Sequence, residues 1–218
     1  QTLLDLLGVE KIQRSVMPIP VDLEPVYLSR GGLVANTLTS YSVTPKVDGE
    51  HVFLIVEGIY GFIVDYNGNM LDMFRISRGS VPTTILEGEY VSGDRPQFVL
   101  FDALMINGDS VLDQAWRDRY AAALTVSESL DNEQIIMKLK TFRELNEPEF
   151  YEIMSKMFEV LDVTSDYETD GLIFVPTNLD YFMRDLQPTP LFLSVGNPVV
   201  DVTPKLLQWK PLDMLTVD

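Results

Sequence analysis

Two apolar pentads set back to back constrain this chain more than any other feature. Val52-Phe53-Leu54-Ile55-Val56 and Tyr60-Gly61-Phe62-Ile63-Val64 are rich in β-branched and aromatic side chains, and Glu57-Gly58 stands between them. Such residues fit a pleated surface, and a short glycine-containing link returns one strand along the other. The pair therefore predicts an antiparallel hairpin. Tyr66-Asn67-Gly68-Asn69 supplies the next turn, and the β pattern runs from Tyr41 to Asp65. Two further strands are expected at Thr84 to Val91 and Gln97 to Met105, joined through Ser92-Gly93-Asp94.

Helical spacing follows. Asp113 to Leu130 carries Ala115, Trp116, Tyr120, Ala123 and Leu124 on one approximate face. Pro148 suits the first turn of a helix over Glu147 to Leu161, because its missing N–H would have no partner there. Ile135 to Phe142 alternates like a strand, and Gly171 to Val175 and Leu206 to Trp209 read as late strands. Near the start, Leu3 to Ile12 predicts a short helix, and Pro18, Pro20 and Pro25 an extended surface segment. Hairpins interleaved with helices make the expected fold class α+β. The expected organisation is an N-terminal segment, 1–40, packed on a domain formed by 41–218.

Composition narrows the function classes. With 33 Asp and Glu against 16 Lys and Arg, the net charge of −17 argues against a broad nucleic-acid-binding surface. A local basic cleft is still compatible with that balance. The absence of cysteine excludes disulfides, thiolate zinc sites and cysteine nucleophiles, and the single histidine, His51, leaves no multi-histidine metal site. No stretch approaches the roughly 20 uncharged apolar residues of a membrane helix, and no secretory pattern opens the chain, so an intracellular location is expected.

Four short segments carry candidate chemistry. Lys46-Val47-Asp48-Gly49 sits between two expected strands, where a lysine can act as a nucleophile; the bland reading is a surface lysine before a turn. Glu87-Gly88-Glu89 is followed by Phe98-Val99-Leu100-Phe101-Asp102. Its carboxylates could accept from a ribose hydroxyl or hold a hard cation, and its aromatics could stack on a base. Each also reads as a solvated strand face or as core. Thr169-Asp170-Gly171 opens a buried apolar strand, which places an acid at a cleft mouth or merely in a turn. Leu207-Gln208-Trp209-Lys210-Pro211 ends in a lysine that could meet a phosphate or simply face solvent.

Taken in order, these segments resemble the covalent nucleotidyltransferase superfamily of mRNA-capping guanylyltransferases and DNA and RNA ligases. The run TDGLIFVP followed by LQWKP is similar to the capping branch in its viral-like form, and the resemblance spans about Tyr41 to Pro211. It implies a nucleotidyltransferase domain with twisted antiparallel sheets around a nucleotide cleft. Lys46 would attack the α-phosphate of GTP, with Asp48 orienting it, Gly49 allowing close backbone approach and Lys210 meeting the phosphate. Glu89 would meet the ribose or metal and Asp170 a Mg²⁺ or Mn²⁺ ion. Phe98 would stack on the base, and Lys138 or Lys140 would contact base or phosphate. The implied partners are GTP and an RNA 5′ end, with OB-fold, triphosphatase or methyltransferase units outside this chain.

Two residues depart from the family pattern. His51 stands where an arginine is usual, and Gln208 where the last motif has its first lysine. The chain ends at Asp218, so the family's OB-fold is expected to be absent from it. Three functions follow. The first is an mRNA guanylyltransferase. The second is a degenerate domain that binds or scaffolds within a larger assembly. The third is an ATP-dependent ligase.

Overall fold

The computed structural model describes residues 26–27, 38, 40–77, 79–146, 148–161, 168–181 and 206–209. The expected helix at Leu3 to Ile12, the proline segment and Lys210 lie outside the described residues. The described strands run in the order β1 (Val26–Tyr27), β2 (Tyr41–Val47), β3 (Glu50–Gly58), β4 (Tyr60–Asp65), β5 (Met70–Arg75) and β6 (Val81–Val91). After β7 (Gln97–Ile106) and β8 (Asp109–Ser110) comes helix α1 (Trp116–Ser127). Strands β9 (Ile136–Leu139) and β10 (Arg143–Glu144), helix α2 (Phe150–Leu161), β11 (Thr169–Pro176) and β12 (Leu207–Trp209) complete the order.

The strands form two sheets. The smaller has the order β1-β12-β11-β2-β10, and the larger β5-β4-β3-β6-β7-β8, with β9 parallel to β7. The expected hairpin is present as β3 and β4, paired from Val52↔Asp65 to Glu57↔Tyr60, with Gly58 at φ 63°. The turn after it is held by Asp65, whose carboxylate accepts from the Asn67 and Asn69 backbone N–H groups and the Asn69 amide. Strand β5 was not legible from alternation, because only Phe74 in it is buried. Its place follows from Gly61 directly opposite: a β-carbon there would lie 2.4 Å from the Phe74 ring, so the ring occupies the room the glycine leaves.

Each sheet buries one face under a helix. Val52, Leu54, Val56, Leu86, Phe98 and Leu100 of the larger sheet pack with Ala123 and Val126 of α1. Tyr41, Val43, Leu172 and Phe174 of the smaller sheet pack with Phe150, Met154 and Met157 of α2. Helix α1 begins at Trp116 rather than the expected Asp113. Its first N–H donors find partners outside the helix: Trp116 donates to the Leu179 carbonyl at 2.8 Å and Arg117 to the Thr177 carbonyl at 3.2 Å. Helix α2 begins at Phe150 rather than Glu147, and the Asn146 side chain accepts from the Glu149 N–H ahead of it.

Arg119 on α1 and Asp102 on β7 are both fully buried. They meet as a two-pronged ion pair, Nε to Oδ1 at 2.8 Å and Nη2 to Oδ2 at 2.7 Å. The remaining prong, Nη1, donates to the Gln114 and Leu179 carbonyls, and the guanidinium lies 5.4 Å from the Tyr181 ring centre. One cation thus ties the larger sheet, α1 and the segment leaving β11. Removing one partner of a buried pair strands the other charge, so Asp102→Asn should lower unfolding free energy by about 3–5 kcal/mol, read as a fall in the urea midpoint.

Candidate active site

The site forms where the chain passes from the smaller sheet to the larger. Lys46 lies near the end of β2, Asp48-Gly49 make the crossing, and β3 starts at Glu50. Gly49 is needed for close approach: a β-carbon there would sit 3.2 Å from the Glu89 β-carbon and 3.2 Å from the Tyr90 carbonyl oxygen. Lys46 Nζ lies 3.0 Å from Asp170 Oδ1 on the neighbouring antiparallel strand β11. Strand β11 has a bulge between Thr169 and Leu172, with Gly171 at φ 152°, and Asp170 sits within that bulge facing the lysine.

Asp48 is therefore not the carboxylate found against Lys46. Strand β2 ends at Val47 and the chain turns, so the Asp48 side chain is exposed beside Glu50, Tyr90 and Glu168, while its N–H donates to the Glu168 carbonyl at 2.9 Å.

On the larger sheet, Glu89 and Glu87 of β6 stand opposite His51 and Phe53 of β3. Lys140, which follows β9, is held by its N–H to the Leu100 carbonyl. Its side chain is 4% exposed and pairs with Glu89, Nζ to Oε1 at 2.6 Å. Glu89 Oε2 is buried and has no hydrogen-bond partner among the described residues. Lys138, opposite Val99, is half-buried, and Lys140 is the lysine that reaches Glu89. His51 Nε2 lies 2.8 Å from Glu87 Oε1, and the Tyr66 hydroxyl lies within 2.8 Å of both imidazole nitrogens.

The expectation that Phe98 stacks on a base is corrected by its burial. It is 0% exposed, and its ring tip occupies the space that a β-carbon on Gly88 would need, 2.5 Å away. Phe98 shares the core face with Leu100, two residues on, because side chains alternate across a strand. Phe101 has the opposite parity and is half-buried. Its ring lies 5.2 Å from that of His51, and Lys140 Nζ lies 5.3 Å from its centre. Parity against Leu100 was the available signal for preferring Phe101. Gln208 is buried on β12 and shares a row with Ile173 and Thr44, so it lies on the face of the smaller sheet that Lys46 occupies.

Carboxylate oxygens are the ligands that Mg²⁺ or Mn²⁺ prefers, and Mg²⁺ commonly binds through one or two of them plus substrate phosphates. The unpartnered Glu89 oxygen and the cleft-facing Asp170 fit that donor chemistry. Among the described residues no group of three or more potential metal ligands comes together.

Two largely antiparallel sheets that bring together Lys46, Asp170, Glu89 and Phe101 are consistent with a nucleotidyltransferase-type domain. The chain belongs to the family described as mRNA capping enzyme, catalytic domain, whose model matches residues 5–188. It is 25% identical over 224 residues to the mRNA-capping enzyme of Caenorhabditis elegans, covering 90% of this chain and 32% of that protein. The chain thus spans about a third of the curated relative it matches. Among solved structures it is similar to mycobacterial DNA ligase D complexed with ATP and MES, with TM-score 0.51 and 14% identity over 87% of this chain and 60% of that one. It is also similar to a Lig E DNA ligase, with TM-score 0.50 and 14% identity over 87% of this chain and 68% of that one. These last two likenesses concern the fold. No helix among the described residues is long and apolar enough to cross a membrane.

Phe98→Ala should cost about 3–5 kcal/mol of stability. Phe101→Ala should leave the melting temperature nearly unchanged and weaken nucleotide binding about tenfold, measured by titration calorimetry. Alkaline stability offers a separate check. Burial and the hydrogen bond that Tyr90 donates to Asp72 push the Tyr90 hydroxyl from 10.0 up to about 12. The folded state therefore holds this proton longer than the unfolded chain does. Its contribution is complete below pH 10.0 and is lost as pH rises through about 12. In Tyr90→Phe, the fall of melting temperature across that window should be shallower.

Proposed function

We propose that this chain is an mRNA guanylyltransferase domain that carries GMP on Lys46. The observation that carries the reading is Lys46 near the end of β2, partly exposed and 3.0 Å from Asp170 on the adjacent strand, within a chain of the capping-enzyme family. In this reading the Lys46 amine, after losing its proton to solvent, attacks the α-phosphorus of GTP. A P–N bond forms, the bond to the bridging oxygen breaks, and pyrophosphate leaves with that electron pair. The terminal oxygen of a 5′-diphosphate RNA then attacks the same phosphorus, and the P–N bond returns its electrons to Lys46.

The remaining residues bind and orient. Phe101 offers a face to the base, with Lys140 5.3 Å from its ring centre. Asp170 holds the Lys46 side chain toward the cleft. Glu89 and Asp170 would hold Mg²⁺ or Mn²⁺, which supplies neutralisation of phosphate charge when bound. Lys210 is assigned to the phosphate on its place in the terminal motif.

A second reading, a binding module without group transfer, is favoured by the charge pairing in the cleft. Lys46 is paired with Asp170 and Lys140 with Glu89, while His51 faces Glu87 and Gln208 adds no charge. A triphosphate would then meet cations already compensated by carboxylates. Incubation with labelled GTP or ATP and Mg²⁺, followed by a denaturing gel, separates the readings. The expected result is a GMP-labelled band that is lost in Lys46→Ala and also in Lys46→Arg, whose guanidinium does not deprotonate near neutral pH. Labelling by ATP instead would point to ligase chemistry, and none by either nucleotide to the binding module.

A further inference from the structure

Helix α1 packs on the core face of the larger sheet, yet two of its side chains reach the backbone of Phe101 and Lys140. These two residues both lie where regular pairing breaks. Leu100 stands opposite Gly88 and Asp102 opposite Glu87, so Phe101 is an extra residue in the ladder. Lys140 stands one residue past the end of β9 at Leu139. A side chain of α1 takes the carbonyl of each. The Trp116 indole N–H donates to the Phe101 carbonyl at 3.2 Å, and the Tyr120 hydroxyl donates to the Lys140 carbonyl.

Trp116 and Tyr120 share one face of α1 at helical i, i+4 spacing. Their rings stack with centres 5.3 Å apart and planes 11° apart. Phe142 closes the cluster, 4.6 Å from the Trp116 ring and 5.1 Å from that of Tyr120. Neither donor can swing away without breaking these ring contacts. Burial raises the Tyr120 hydroxyl above its ordinary pKa, so it stays a donor at neutral pH. The Lys140 N–H donates to the Leu100 carbonyl at 2.9 Å, so this residue is held by its backbone at both ends. Its ammonium then reaches Glu89 and lies 5.3 Å from the Phe101 ring centre. Without the Tyr120 hydroxyl, the Lys140 carbonyl would turn to find water, and the lysine would follow.

We propose that Trp116 and Tyr120 are positioning residues for base binding: through two backbone carbonyls they fix where the Lys140 ammonium stands relative to the Phe101 ring. They act through Phe101 and Lys140 rather than on the ligand. The inference rests on the base-binding part of the function proposed above and requires no transfer step.

The test uses the full 218-residue chain, with GTP and inorganic tripolyphosphate as probes in calorimetry. Tyr120→Phe keeps the stacked ring, and Trp116→Phe keeps a ring without the N–H. Each should weaken GTP about fivefold, on the scale of one hydrogen bond, and leave tripolyphosphate unchanged. In a Lys140→Met background, Tyr120→Phe should cause no further loss of GTP affinity. The chain has two tryptophans, so Trp209→Phe identifies the Trp116 indole signal in ¹H–¹⁵N spectra. That signal should shift with GTP and stay still with tripolyphosphate. An equal loss for tripolyphosphate would overturn the proposal. So would a full-sized GTP loss on top of Lys140→Met, or bound GTP that leaves the Trp116 signal in place. If Phe101→Ala and Lys140→Met leave GTP affinity unchanged, or GTP does not bind at all, the base-binding reading falls and this proposal with it. If those two variants weaken GTP while Tyr120→Phe or Trp116→Phe does not, only the positioning roles fall.

Discussion

The buried Asp102–Arg119 pair is the contact on which the geometry of the domain depends. Strand β7, helix α1 and the segment after β11 come from three distant parts of the chain, and each contributes a group to one guanidinium. A guanidinium fits a carboxylate along two parallel hydrogen bonds, so the pair sets orientation as well as proximity. Asp102 also neighbours Phe101, so the strand position that anchors α1 is next to the one that presents an aromatic to the cleft. Disturbing the pair would move the cleft wall as well as the core.

The cleft itself is organised by compensation. In this acidic chain Lys46 and Lys140 are each held by a carboxylate, Lys46 by Asp170 and Lys140 by Glu89. Such pairs keep the side chains ordered without ligand, and they place the cations beside the groups suited to a divalent ion. His51, in contact with Glu87 and Tyr66, extends the pattern of paired groups.

Much of the larger sheet was legible, and for a physical reason. Val52 to Val56, Tyr60 to Val64, Thr84 to Val91 and Gln97 to Met105 all lie within strands, because long apolar β-branched runs have few other ways to be buried. Strand β5 carries no such run, because its burial depends on one ring lying over Gly61 of its neighbour. The start of α1 was misplaced because tertiary carbonyls, not a capping side chain, receive its first N–H groups. In the site, motif order located Lys46, Glu89 and Asp170, but the choice of Phe98 over Phe101 ignored the alternation that sends the two rings to opposite faces.

Local pattern alone therefore settled the class of fold, the family resemblance and the strands on which the candidate groups sit, since alternation and motif order are properties of consecutive residues. Which groups meet was decided in three dimensions. Lys46 is paired with Asp170, 124 positions away along the chain, rather than with nearby Asp48, because antiparallel pairing of β2 and β11 brings the bulged strand alongside it while the chain turns Asp48 outward. Tyr66 joined the site in the same way, through a turn whose hydrogen bonds hold its hydroxyl against His51. Contacts of that kind depend on register and curvature between distant segments, and no window of neighbouring residues encodes them.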